Sequence, residues 1–203
     1  MLRISIYGIV VAAGAILLGS QLYWLMAQDT TPAQPYRAIK NLGKAEIRFY
    51  PPAVEASVHK SGDYSRMMNN GFRDLAGYIF GGNDRNEKIA MTTPVKTLMD
   101  APDANSGYIT FVMPQNFNLQ NKPTPTSGNI LFSETEPMYA AAITFGGFAN
   151  RQKMEEQAAL LLQELTKAGL EPNGKVQFLY YNPPFQLLNR RNEVLVKLRN
   201  FSE

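Results

Sequence analysis

The 203-residue chain carries 20 Lys and Arg against 17 Asp and Glu. Its net charge of +3 is too small, and its basic residues too scattered, for a phosphate-tracking surface, so no nucleic-acid partner is expected. There is no cysteine and a single histidine, His59, which excludes disulfides, thiol nucleophiles, thiolate metal sites and a histidine-rich zinc site. A content of 45% hydrophobic residues suffices for one domain of about 165 residues with an appendage.

The appendage comes first. Ile4 to Met26 contains no charged residue, with Arg3 before it and Asp29 the first charge after it. As a helix this run would extend about 34 Å, enough to cross a hydrocarbon core of about 30 Å. Its exit, Leu22-Tyr23-Trp24-Leu25-Met26-Ala27, has Leu25 where a signal-peptide cleavage site needs a small residue, and Tyr23-Trp24 suits an interfacial anchor. The expectation is therefore an N-terminal transmembrane anchor over residues 1–26, single-pass in the inner membrane, with a proline-bearing tether over 27–35 and the body (36–203) in the periplasm. Export after cleavage of a signal is the alternative.

In the body, Ala45 to Tyr50 and Val54 to Lys60 read as strands joined by Pro51-Pro52. Val54, Ala56 and Val58 alternate with Glu55, Ser57 and His59, which puts the histidine opposite the valines. Asp63 is the expected N-cap of a helix with Tyr64, Met68, Phe72, Leu75 and Ile79 on its apolar side, ended by Gly81-Gly82. Met67 falls off that stripe. Lys88 to Val95 mixes strand formers with Pro94 and is expected as an edge strand or a bulge. A strand follows at Tyr108 to Met113. The order then recurs: strands at Asn129 to Ser133 and Met138 to Thr144, a helix from about Asn150 to Lys167, and strands at Val176 to Tyr181 and Glu193 to Leu198.

Sliding the first half onto the second sets Gly62 on Gly147, Arg66 on Arg151, Val58 on Ile143, Ile109 on Val194 and Phe111 on Val196. With a short insertion, Thr93-Pro94-Val95 falls on Pro183-Pro184-Phe185, as two matching corners. Two strand-strand-helix-strand-strand units predict an α+β fold: a twisted, mainly antiparallel, barrel-like sheet with two helices and a ligand groove between its halves.

Three segments now carry a resemblance. Asn86-Glu87-Lys88-Ile89-Ala90-Met91-Thr92-Thr93-Pro94-Val95 is similar to the signature of the SOUL haem-binding proteins. Phe145-Gly146-Gly147-Phe148 and Tyr181-Asn182-Pro183-Pro184-Phe185, the latter running on to Asn189-Arg190-Arg191-Asn192-Glu193-Val194, follow in the family order. The resemblance spans about Tyr36 to Arg199 and implies the same duplicated α+β fold, which is also similar to effector-binding domains of bacterial transcription regulators. It implies reversible, non-covalent binding of haem or a related tetrapyrrole; a binding domain for such a flat hydrophobic small molecule is the reading adopted, with no catalysis expected because no nucleophile or metal set is in view. Some members have a histidine in the first strand proposed as an iron ligand; Ile47-Arg48-Phe49-Tyr50 has none.

The ligand-binding candidates under that resemblance are Met67, Met68, Phe72, Met91, Tyr181, Arg190, Arg191 and Glu193. Methionines and rings would pack on the macrocycle and arginines would pair with its carboxylates. His59 is the candidate axial ligand, although its polar strand face also suits plain solvent exposure. A second class of function rests on Glu193: desolvated beside Tyr180 or Tyr181, with a raised pKa, it would be the general base of a hydrolase-like or effector-binding pocket.

Overall fold

The computed structural model describes residues 9, 11–16, 18–20, 31–101 and 103–202. Within the expected anchor, residues 9, 11–16 and 18–20 are helical. The rest of that span, its exit and most of the tether lie outside the described residues. Among the described residues no helix is long and apolar enough to cross a membrane.

The body is built from β1 (Arg37–Leu42), β2 (Ala45–Tyr50), β3 (Ala53–Ser61), α1 (Tyr64–Ile79), β4 (Val95–Met99), β5 (Ser106–Val112), β6 (Leu131–Thr135), β7 (Met138–Gly146), α2 (Arg151–Lys167), β8 (Pro172–Tyr180) and β9 (Arg191–Leu198). The strands form one antiparallel sheet in the order β1-β2-β7-β9-β8-β4-β5-β3-β6, open at β1 and β6 rather than closed into a barrel. Outward from the β8–β4 seam, β9, β7 and β2 on one side correspond to β5, β3 and β6 on the other. The two units thus exchange their leading strands: β2 lies beside β7, and β6 beside β3. β1, which the alternation did not reveal, extends one edge.

Both helices lie on one face of this sheet, α1 over β3 and β5, α2 over β7, β8 and β9. The first starts at the expected cap, Asp63, which accepts from the Arg66 N–H; the second starts where expected, and there Asn150 caps it by accepting from the Lys153 N–H. Gly62 and Gly147, paired in the sequence overlay, both adopt positive φ where strand turns into helix (127° and 80°). Alternation along β9 sends Val194, Val196 and Leu198 to the helix side, where they join Ile109, Phe111, Leu75 and Leu161 in the main core.

Three expectations are corrected. The strand foreseen at Lys88 to Val95 begins only at Val95, after Pro94, and β4 is a central strand; residues 88–94 lead into it through single bridges at Lys88 and Thr93. The missing proline donor explains why the ladder starts beyond it. Thr93-Pro94-Val95 leads into β4, whereas Pro183-Pro184-Phe185 follows the equivalent strand β8, so these are not matching corners. Finally, α1 buries Met67, Gly71, Leu75, Tyr78 and Ile79, and leaves Phe72 41% exposed and Met68 only half-buried. Met67, placed off the apolar stripe by its spacing, is in the core. The reason is Gly71: a Cβ there would lie 2.6 Å from Ile109 Cδ1, so the absent side chain lets this row approach β5 most closely.

Candidate functional site

On the sheet face away from the helices, alternation turns Arg48 and Tyr50 of β2, Thr144 of β7 and Glu193 of β9 toward one another. Glu193 is 0% exposed. Its Oε1 accepts from Thr144 Oγ1 (2.8 Å) and from Arg191 Nη2 (2.7 Å) and Nε (3.1 Å). Its Oε2 accepts from Arg48 Nη1 (2.8 Å) and the Tyr181 hydroxyl (2.8 Å). Arg48, itself buried, also donates to Glu46 (2.5 Å) and Tyr50 (3.2 Å) and lies 4.2 Å from the Tyr36 ring centroid. Arg191 lies 4.2 Å from that of Tyr181. Tyr36, Tyr50 and Tyr181 therefore seal a carboxylate gripped by two guanidiniums.

Burial alone would push the Glu193 carboxyl up, but Arg48 and Arg191 outweigh it and hold it below the usual range. Burial also pushes Tyr181 up, with the Glu193 charge adding to it, and raises Tyr50 to about 12. The raised-pKa general base expected at Glu193 is thus corrected: the group stays ionised and its lone pairs are occupied by five donors. Spacing could place Glu193 on a strand, but Arg48 lies 145 residues away in sequence and gave no signal of its own. Of the candidates, Tyr181, Arg191 and Glu193 come together here.

The others lie elsewhere. His59 is on β3, on the same sheet face as this cluster, 43% exposed at its side chain; its Nε2 is 2.8 Å from Asp100 Oδ2 and its ring stands edge-on to Tyr108. Ser106 also bonds Asp100, at 2.5 Å. The carboxylate, not the imidazole, is central, which is the wrong order for an activated serine. Met68 and Phe72 are on the helix side; Thr97 Oγ1 donates to Met68 Sδ (2.9 Å) and Phe72 stands edge-on to Phe111 (5.3 Å). Tyr64 of α1 and Tyr180 of β8 share a hydroxyl–hydroxyl hydrogen bond at the seam between the halves. Met91 packs half-buried against the core.

Arg190 belongs to a third place, the loop between β8 and β9. Its Nη1 donates to the carbonyls of Pro183 (2.9 Å) and Gln186 (2.6 Å), and the guanidinium lies 4.6 Å from the Phe148 ring centroid, just before α2. Gln186, fully buried, ties the loop by donating to the Leu188 carbonyl. Loop and helix start together expose Phe148, Phe185, Leu187 and Leu188, each more than half-exposed. Spacing did not single these out, although an apolar run after two prolines is a readable signal for an exposed loop crown.

Duplicated α+β sheet, paired helices and signature loops together define a family. The chain belongs to it: the model described as "SOUL heme-binding protein" matches residues 31–197. Heme-binding protein 2 of Homo sapiens is 33% identical over 184 residues, covering 87% of this chain and 85% of that protein. Its Mus musculus counterpart is 31% identical over 182 residues with the same coverage. Among solved structures, the EcmrR C-terminal domain superposes with a TM-score of 0.60 at 14% identity, covering 82% of this chain and 99% of that one. A hydrolase from Listeria innocua gives 0.51 at 12% identity, over 77% and 92%. At these identities the two structures share the fold and nothing more.

Proposed function

We propose that this protein binds haem or a related tetrapyrrole, non-covalently and reversibly, on the apolar crown formed by Phe148, Phe185, Leu187 and Leu188. The crown carries the reading because four large apolar side chains stand more than half exposed beside a cation, on a chain whose relatives are named for haem binding. The residues fit such a ligand. A macrocycle needs apolar faces, and its carboxylates need cations; Arg190 lies over Phe148, its buried Nε–H without an acceptor among the described residues, and Lys153 is 5.7 Å from the Phe145 ring centroid. Met68 and Phe72 offer further apolar surface on α1. Bound haem would supply an iron centre; the chain's part is to cover the macrocycle and neutralise its carboxylates. His59, across the sheet from the helices, is not part of this seat. No catalytic step is assigned.

Titration of the full-length protein with haemin is expected to give a saturable, red-shifted Soret band at one equivalent. Phe185→Asp combined with Leu188→Asp removes two apolar contacts worth about 1.5–3 kcal/mol each when buried, so affinity should fall at least about tenfold. His59→Ala should leave the band where it was. Non-saturating adsorption, or unchanged affinity in the double variant, rejects the seat.

The uncharged run from Ile4 to Met26 supports a second part of the proposal: that the domain is held at the inner membrane, facing the periplasm. After expression in a bacterial host, the protein should stay in the membrane pellet through alkaline carbonate washing and enter the detergent phase. Release by carbonate, or a product shortened near residue 27, would instead mean peripheral attachment or signal cleavage.

A further inference from the structure

The face away from the helices holds a second polar centre, in the other half of the sheet. Lys96 of β4 is 4% exposed and its Nζ lies 2.6 Å from Glu55 Oε1 of β3; the two side chains are 5% and 15% exposed. Beside them Ser57 and Thr110 share a hydroxyl hydrogen bond of 2.7 Å. These groups line an open cavity of about 320 Å³ that spans β8, β4, β5, β3 and β6, walled by Leu98, Tyr108 and Leu131. Gln177 reaches it from β8, and its Oε1 is buried without a hydrogen-bond partner among the described residues.

We propose that this cavity binds a small, net-neutral molecule of the amide or lactam class. Three observations select that chemistry. A buried carbonyl left without a donor is destabilising, and a ligand N–H placed against Gln177 relieves it. An amide carries an acceptor next to its donor, so it satisfies the Gln177 carboxamide in either of its two orientations. The Lys96–Glu55 pair is internally neutral and mostly desolvated, so a ligand with net charge must oppose one partner or pull the pair apart, whereas a neutral dipole can bridge it. Leu98, Leu131 and the Tyr108 ring then receive a flat apolar body, and the volume suits a ligand of one or two rings. The site is separate from the crown proposed for haem, and neither proposal depends on the other.

Benzamide is the probe, with benzoate and benzylammonium as charged analogues of the same size, titrated into isotope-labelled full-length protein in detergent and read by chemical shift. A fragment this small is expected to bind at about the millimolar level. Benzamide should give saturable shifts at Gln177, Thr110 and Leu131, and both charged analogues should bind at least about tenfold more weakly. Gln177→Leu should abolish the shifts, leave haemin binding unchanged and raise the melting temperature, because the unpartnered carbonyl is gone. Leu131→Trp, at a rim position 56% exposed and therefore tolerant of replacement, should block the cavity and weaken benzamide at least about tenfold. The proposal is overturned if benzamide gives no saturable shift up to about 10 mM. It is overturned equally if either charged analogue binds as well, or if benzamide still binds to Gln177→Leu or Leu131→Trp.

Discussion

Glu193→Ala is expected to lower folding stability by about 3–5 kcal/mol, the range for breaking a buried ion pair by removing one partner. The loss exceeds that of a single hydrogen bond because Arg48, 3% exposed at its side chain, and Arg191 are left facing one another without their shared counter-charge. For a chain of this length that corresponds to a fall in melting temperature of about 6–20 °C, measurable by circular dichroism. A change within about 1 kcal/mol would show that water or Glu46 replaces the carboxylate at little cost.

The same cluster sets a pH dependence. The folded carboxyl titrates below its ordinary value of 4.5, so the unfolded chain takes up the proton first as pH falls. The stabilisation is fully present above that value and drains away below it. Asp100, lowered by its bonds from Ser106 and His59, and Glu164, lowered by Lys167, act in the same direction. Glu193→Gln should therefore be less stable than wild type at pH 7 and lose less of its stability between pH 7 and acid. Denaturant melts across that interval separate the contributions, and parallel acid slopes for the two proteins would exclude Glu193 as the main source.

Gly71→Ala pits two known effects against each other. In a helix interior alanine gains about 1 kcal/mol over glycine. Here the added Cβ would meet Ile109 Cδ1 at 2.6 Å, Cγ1 at 2.7 Å and Cβ at 2.9 Å, and the last of these cannot swing away without moving β5. Overpacking of this kind costs about 1–3 kcal/mol, and with three contacts under 3.0 Å the collision should win by up to about 2 kcal/mol, a melting temperature lower by up to about 8 °C. Gly71→Ala combined with Ile109→Ala should behave better than the sum of the two single variants, because the space lost at one position is returned at the other. A higher melting temperature for Gly71→Ala alone would show that α1 does not sit this close to the sheet.

Much of the fold was legible because its signals are local. Alternation in Val54 to His59 and in Glu193 to Leu198 located strands and their faces, and Asp63 and Asn150 marked helix starts. Gly62 and Gly147 marked the same junction in both units. The anchor expected over Ile4 to Met26 follows from apolar length alone, and it remains a sequence-based proposal. What was misread involved a neighbour distant in sequence. The apolar spacing of α1 admits more than one buried row, and the contact between Gly71 and Ile109 chose Met67 over Phe72. The signature around Pro94 has the composition of a strand, but before the proline it makes only single bridges to other segments, and the ladder of β4 begins at Val95.

The sequence by itself determined the class of fold, the duplication and the family, because periodicity, caps and contiguous motifs are written within short stretches. Tertiary structure alone decided the exchange of leading strands that sets β2 beside β7, and through it the meeting of Arg48 with Glu193. It also decided that this glutamate is an ionised structural centre rather than a base, that Phe148, Phe185, Leu187 and Leu188 stand exposed together, and that the Gln177 carbonyl is buried without a donor among the described residues. The physical reason is the same in each case: charge state and exposure depend on which side chains become neighbours, and neighbours drawn from separate strands leave no mark in local spacing.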